Sequence, residues 1–173
     1  MLKRVRVFMK SERFGVAARL FEDILDGVTE ADEYVAAMFS PAPNEEGSID
    51  EPEHMEMFCD GRLRLTDDMF SLSYEESELT GMEGTSSQLS FMRSQPELVT
   101  MLRSGSVSTA LVFEPNQRHF CTYKTPYMPF EVCVHTLKID NRLLPKGTLD
   151  LDYVIEIRGA QAERCRMHLE IKE

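Results

Sequence analysis

At 173 residues, 42% of them hydrophobic, the chain has the length of one soluble domain and enough apolar side chains to bury a full core. Its 30 acidic and 19 basic residues leave a formal net charge of −11, a field that repels phosphate backbones and anionic membranes and excludes nucleic acid as the expected partner. No apolar stretch approaches the ~20 residues that a helix needs to cross a bilayer.

The chain opens on a strand, Leu2 to Met9. Val5, Val7 and Met9 alternate with Arg4 and Arg6, so one face is apolar and the other charged. That alternation is unlike the continuous apolar core of an export signal, and the cytoplasm is the expected compartment. Cys59, Cys121, Cys133 and Cys165 show no CxxC spacing and are expected to stay reduced, mostly as small core residues.

Residues 11–50 break the period of two. Phe14, Ala17, Leu20, Phe21, Ile24 and Leu25 recur at helical spacing, Gly27 is placed to end that helix, and Thr29 with Asp32 resembles a capping box opening a second helix through Phe39. The expectation is a helical insertion over about 13–40, followed by an acidic, proline-bearing linker over about 40–53. The apolar stripe must bury somewhere, against one barrel mouth or in a homodimer.

From His54 onward nearly every segment reads as strand. Met55, Met57 and Cys59 alternate with polar neighbours, Asp60-Gly61 predicts a turn or bulge, and Leu63 and Leu65 resume the apolar face. Phe70, Leu72, Tyr74 and Glu76 then share one face of a strand that runs into a loop punctuated by Gly81 and Gly84, carrying Glu78, Thr80 and Glu83. Strand-length apolar segments follow around Leu89, Leu98 to Leu102 and Ala110 to Phe113. Arg118 to Lys124 and Phe130 to Leu137 form a predicted hairpin. The pattern is clearest at the end, where Leu149, Leu151, Tyr153, Ile155 and Ile157 are answered after Gly159 by Cys165, Met167, Leu169 and Ile171. Consecutive antiparallel strands must pair or cover their edges, and an up-and-down β-barrel closes them most simply; a two-sheet sandwich is the alternative.

Three stretches, SLSYEESELTGMEGT (Ser71 to Thr85), RSG (Arg103 to Gly105) and RHFCTYKTPYMPFEV (Arg118 to Val132), resemble the YwiB-like family of bacterial barrels. The resemblance covers Glu53 to Glu173, with Leu2 to Met9 as first strand. It implies a lipocalin-like, calycin-type antiparallel barrel of about 8 strands with no established activity. The 11–40 stretch departs from the family pattern, and Met128 and Cys133 stand where that pattern has glycines.

Glu75 and Glu76 are adjacent on a strand, so they point to opposite faces and cannot act as a carboxylate pair on one substrate. Glu76, on the Tyr74 face, looks inward and needs a basic partner, with Arg103 or Arg118 as the candidates from the family-like stretches. Its structural reading is an ion pair; its functional reading is a ligand-binding group. Tyr74, Glu76, Arg103, His119 and Tyr123 form the candidate ligand-binding set. If the hairpin turns about Tyr127, His119 faces His135 and Cys121 faces Cys133, a set that tetrahedral zinc accepts, although paired strands without a knuckle spacing more often carry ordinary side chains. No GxSxG, Walker, GxGxxG or HExxH pattern occurs. No cofactor is expected. A small-molecule binder is the leading expectation, ahead of a protein-interaction module with a filled barrel and, last, a hydrolase using Glu76 and His119.

Overall fold

The computed structural model describes residues 1–16, 52–157 and 161–172. They form ten antiparallel strands: β1 (Leu2–Val16), β2 (Glu53–Leu65), β3 (Met69–Glu75), β4 (Thr85–Met92), β5 (Gln95–Gly105), β6 (Thr109–Phe113), β7 (Arg118–Lys124), β8 (Pro129–Arg142), β9 (Thr148–Ile157) and β10 (Gln161–Lys172). A single helical turn, α1 (Leu143–Lys146), joins β8 to β9.

All ten strands belong to one sheet in the order β6-β5-β4-β3-β2-β1-β10-β9-β8-β7, so a sandwich of two sheets is ruled out. Each strand lies beside its neighbour in sequence, and β1 pairs with β10, with Val7 opposite Ile171 and Met9 opposite Leu169. The two end strands, β6 and β7, meet at Ser108 and Lys124, whose amides and carbonyls exchange bonds of 3.0 and 2.9 Å. Because this is the one backbone bridge between them among the described residues, with Thr109 Oγ1 donating to Cys121 Sγ at 3.7 Å beside it, the up-and-down barrel is nearly closed along that seam. The count is ten strands, not the about eight that the resemblance implies for lipocalin-like barrels.

Alternation decides what fills the barrel. Val5, Val7 and Met9 of β1, Phe70, Leu72 and Tyr74 of β3, and Leu149, Leu151 and Tyr153 of β9 are all buried, as their period of two requires. One half of the interior is a solid apolar plug, in which Phe70, Leu72, Leu89, Leu111, Leu149 and Leu169 are at most 1% exposed. Phe70 and Phe91 stack within it at 4.7 Å.

Two expectations need correction. The first strand does not stop at Met9: residues 13–16, expected to start the helical insertion, continue β1. Arg13 pairs with Cys165 on one side and Glu53 on the other, so both backbone edges are satisfied in extended form, and that ladder outweighs the helical spacing of Phe14 and Ala17. Phe14 sits under the guanidinium groups of Arg164 and Arg166, at 5.7 and 5.5 Å. The rest of the helical stretch, and the linker to residue 51, lie outside the described residues. Asp60-Gly61 is likewise no turn. Gly61 sits mid-strand between Val5 and Tyr74, where a Cβ would come within 2.7 Å of Val7 Cγ2 and 3.3 Å of Leu72 Cδ1. Glycine is there to let strands and plug approach closely. No helix among the described residues is long and apolar enough to cross a membrane.

Candidate functional site

Beyond the apolar plug the interior turns polar. Tyr74, Ser87, Arg103 and Thr109 are lateral neighbours across β3, β4, β5 and β6, which places them in one row on the inner wall. Glu76, just past β3, is fixed by its amide bonding to Thr85 O at 2.9 Å. Its side chain is 2% exposed, accepts the Ser87 hydroxyl at 2.5 Å, and has Arg103 Nε 3.6 Å away. Glu75 points out to solvent, as the alternation requires.

The family-like stretches hold this corner. Gly105 packs so tightly on the Gly84 carbonyl that a Cβ would come within 2.1 Å of it, and its φ of 135° suits glycine alone. Thr85 and Ser106 bond at 2.8 Å across the same junction, and Ser106 donates to Glu83 O at 2.7 Å. The loop's acids, Glu78 and Glu83, are exposed, so they do not aim back into the barrel. Its Met82 is buried and receives the Tyr123 hydroxyl at 3.6 Å.

Burial sets the electrostatics. It works against the Arg103 cation, but Glu76, with Tyr153, Tyr123 and Tyr74, more than offsets it and holds the guanidinium above its ordinary pKa. Burial, then the Glu76 charge, pushes the Tyr74 phenol far up and the Cys59 thiol up to about 11. These groups stay protonated near neutrality and act as hydrogen-bond donors, not nucleophiles. Five buried side-chain groups among the described residues have no hydrogen-bond partner, Ser11 Oγ, Tyr74 OH, Ser77 Oγ, Arg103 Nε and Thr136 Oγ1, and two of them, Tyr74 OH and Arg103 Nε, lie in this row. Ser87 lies beside Tyr74 but gives its proton to Glu76.

Of the candidate set, Tyr74, Glu76 and Arg103 come together, and Tyr123 stands close enough to act on Arg103. No hydrogen bond or ion pair among the described residues links His119 to them; it lies 2.9 Å from the Glu114 carboxylate at the β6–β7 seam. The His/Cys cluster is also undone. The hairpin turns over Thr125 to Met128, with Thr125 Oγ1 accepting the Met128 amide at 3.2 Å, so Cys121 pairs with Val132 and His119 with Val134. A register shift of one residue sends Cys133 and His135 to the opposite face from Cys121 and His119. Among the described residues no three His, Cys, Asp or Glu side chains are grouped to hold a metal.

Ser87 and Tyr153 went unnamed as site residues, and both could have been found by extending the inward parity of Leu89 and Leu151. A groove of about 360 Å³ lies elsewhere, on the outer face, lined by Lys10, Asp150, Asp152, Arg166 and His168 among others. It is open to water and its charges answer one another, as in the 2.6 Å contact of His168 with Asp150, so the buried polar row is the better candidate.

A family model described as a domain of unknown function, DUF1934, matches residues 44–169. Among solved structures, the crystal structure of the ywiB protein from Bacillus subtilis is similar, with a TM-score of 0.59 and 14% identity over 98% of this chain and 94% of that one. At that identity the likeness shows the fold alone. No curated protein matches the chain.

Proposed function

Since the chain belongs to the DUF1934 family, the YwiB-like barrels, and that membership brings no activity with it, we propose from the site itself that the protein binds a small molecule without transforming it, in the polar half of the barrel. One observation carries the reading: Tyr74 OH and Arg103 Nε are buried donors that make no hydrogen bond among the described residues, although Arg103 Nε lies 3.6 Å from the Glu76 carboxylate, which already accepts from Ser87. Such donors cost about 1–3 kcal/mol each when left unmade, and a ligand acceptor would relieve that cost. The calycin-type barrel that the sequence resemblance implies would suit the same reading by analogy of fold. Four free cysteines, two of them buried, suit a reducing compartment such as the cytoplasm.

Native mass spectrometry of freshly purified protein tests it. The expected spectrum shows a non-covalent adduct on the wild type that Arg103→Met loses. Wild-type protein at its bare mass throughout, from several preparations, would overturn the reading.

A protein-interaction module is the second reading, favoured by the Phe8 and Phe58 rings, 4.5 Å apart with Phe58 76% exposed. Homodimerisation through residues 17–40 belongs to that reading.

A further inference from the structure

The polar row is closed off from solvent. Tyr74, Ser87 and Thr109 are buried and the Arg103 side chain is 13% exposed, so a small molecule reaches them only where part of the barrel gives way.

The weakest part of the wall borders this row. Round the sheet, every other pair of neighbouring strands is held by a ladder running along several residues. Between β6 and β7 the ladder is reduced to the Ser108–Lys124 bridge, and Thr109 to Phe113 make no backbone bond to β7 among the described residues. At the far end the two strands are tied again by their turn, where Gln117 N donates to Glu114 O at 3.1 Å. That turn is anchored on β8: Asn116 N donates to Thr136 O at 2.9 Å and Thr136 N to Gln117 O at 3.2 Å. A slit therefore runs between β6 and β7 from the bridge to the turn.

Side chains hold the bridge end of the slit lightly. Thr109, the last member of the polar row, donates from Oγ1 to Cys121 Sγ at 3.7 Å, and the Tyr123 hydroxyl donates to Met82 Sδ at 3.6 Å. Both acceptors are sulfur, which is a weak one. Tyr127 and Met128, in the turn that follows β7, are exposed, so this end of the β7–β8 hairpin stands clear of the barrel.

Resting on the small-molecule reading above, we propose that the slit between β6 and β7 is a side entrance to the polar half of the barrel. β7 swings away from β6 about the 114–117 turn, the Ser108–Lys124 bridge and the Thr109–Cys121 contact part, and a small molecule passes between the strands. Few backbone bonds break, so this opening is reached more often than the parting of any ladder. Arg103 lies beside Thr109 in register, which leads the entrance directly to the unpartnered donors. The apolar plug blocks the approach from the other half.

A staple across the slit tests this. Thr109→Cys sets a second thiol against Cys121, within reach of a disulfide, and Ser108→Cys/Lys124→Cys does the same at the bridge; mass and free-thiol count report oxidation. The probe is N-ethylmaleimide, and the reading is its rate of addition to Cys165, buried in the interior, followed by peptide mass at several urea concentrations below the unfolding transition. The expected wild-type rate does not vary with urea, the mark of a local opening. It should be unchanged in reduced Thr109→Cys and at least about tenfold slower once the staple is oxidised. Equal rates in the oxidised and reduced forms, a wild-type rate that climbs with urea as global unfolding does, or failure of both staples to oxidise would overturn the side entrance. In any of those cases an adduct that native mass spectrometry finds on the wild type and not on Arg103→Met would leave the binding reading standing, and its absence would remove that reading as well.

Discussion

Replacing Glu76 with glutamine keeps the side chain's shape and an acceptor for Ser87 while removing one charge, so it isolates the ion pair with Arg103. At the observed 3.6 Å, two unit charges attract by about 4–5 kcal/mol at an effective dielectric of about 20. The desolvation already incurred by side chains 2% and 13% exposed is not recovered when one partner goes, because the other stays buried. The pair is not a well-formed hydrogen bond, which lowers the figure. We expect Glu76→Gln to lose about 3 kcal/mol, a drop of roughly 6–12 °C in Tm for a chain this long. Urea unfolding with an unchanged m-value measures it directly. Arg103→Met leaves Glu76 stranded in the same way, so the double variant should fall short of the sum by about 2 kcal/mol or more. A single-variant loss within about 0.5 kcal/mol, as at an ordinary surface site, would refute the claim that these charges are buried against each other.

Leu72→Ala, at a fully buried position in the plug, should cost about 2–5 kcal/mol in the same urea assay, and a smaller loss would mean the plug is loosely packed. Gly105→Ala should cost several times more than Gly15→Ala, since a Cβ meets the Gly84 carbonyl at Gly105 and nothing at Gly15; equal effects would contradict the junction. The Arg164 hydrogen bond, against some burial, holds Asp152 below the usual carboxylate range, so its contribution is present above the unfolded pKa of about 4 and is lost as pH falls through the lower folded value. As a partly exposed pair it is worth under about 1 kcal/mol, and Asp152→Asn should remove that much of the acid dependence. Cys59, pushed up to about 11, should react with iodoacetamide at pH 8 at least about tenfold more slowly than in urea-unfolded protein; equal rates would mean the thiol is not shielded.

The barrel was legible because its inward residues alternate without interruption, most plainly from Leu149 to Ile155 and from Cys165 to Leu169. Closure followed from the need to satisfy edges. What the sequence hid was pairing. Nothing local distinguishes Ser11 to Val16 as strand, since their extended form depends on β10 along the whole segment and on β2 as far as Arg13. The same applies to Gly61, whose role is visible only once Val7 and Leu72 are packed against it. In the β7–β8 hairpin the residue types were read correctly, but a turn one residue off centre separated the histidines and cysteines onto opposite faces. Tyr74 and Glu76 were found because strand parity points them inward, and Arg103 because a buried carboxylate needs a basic partner and the family-like stretches supplied one.

The central claim is that the unpartnered Tyr74 hydroxyl is kept for a ligand and not for the fold, and the stability of ligand-free Tyr74→Phe tests it most directly. Protein refolded from urea to strip any bound molecule should lose nothing on this change, or gain up to about 1 kcal/mol, because the buried hydroxyl it removes has no partner among the described residues. A loss of more than about 1 kcal/mol would show that the hydroxyl is satisfied within the barrel, and the row would then be a structural network instead of a binding site.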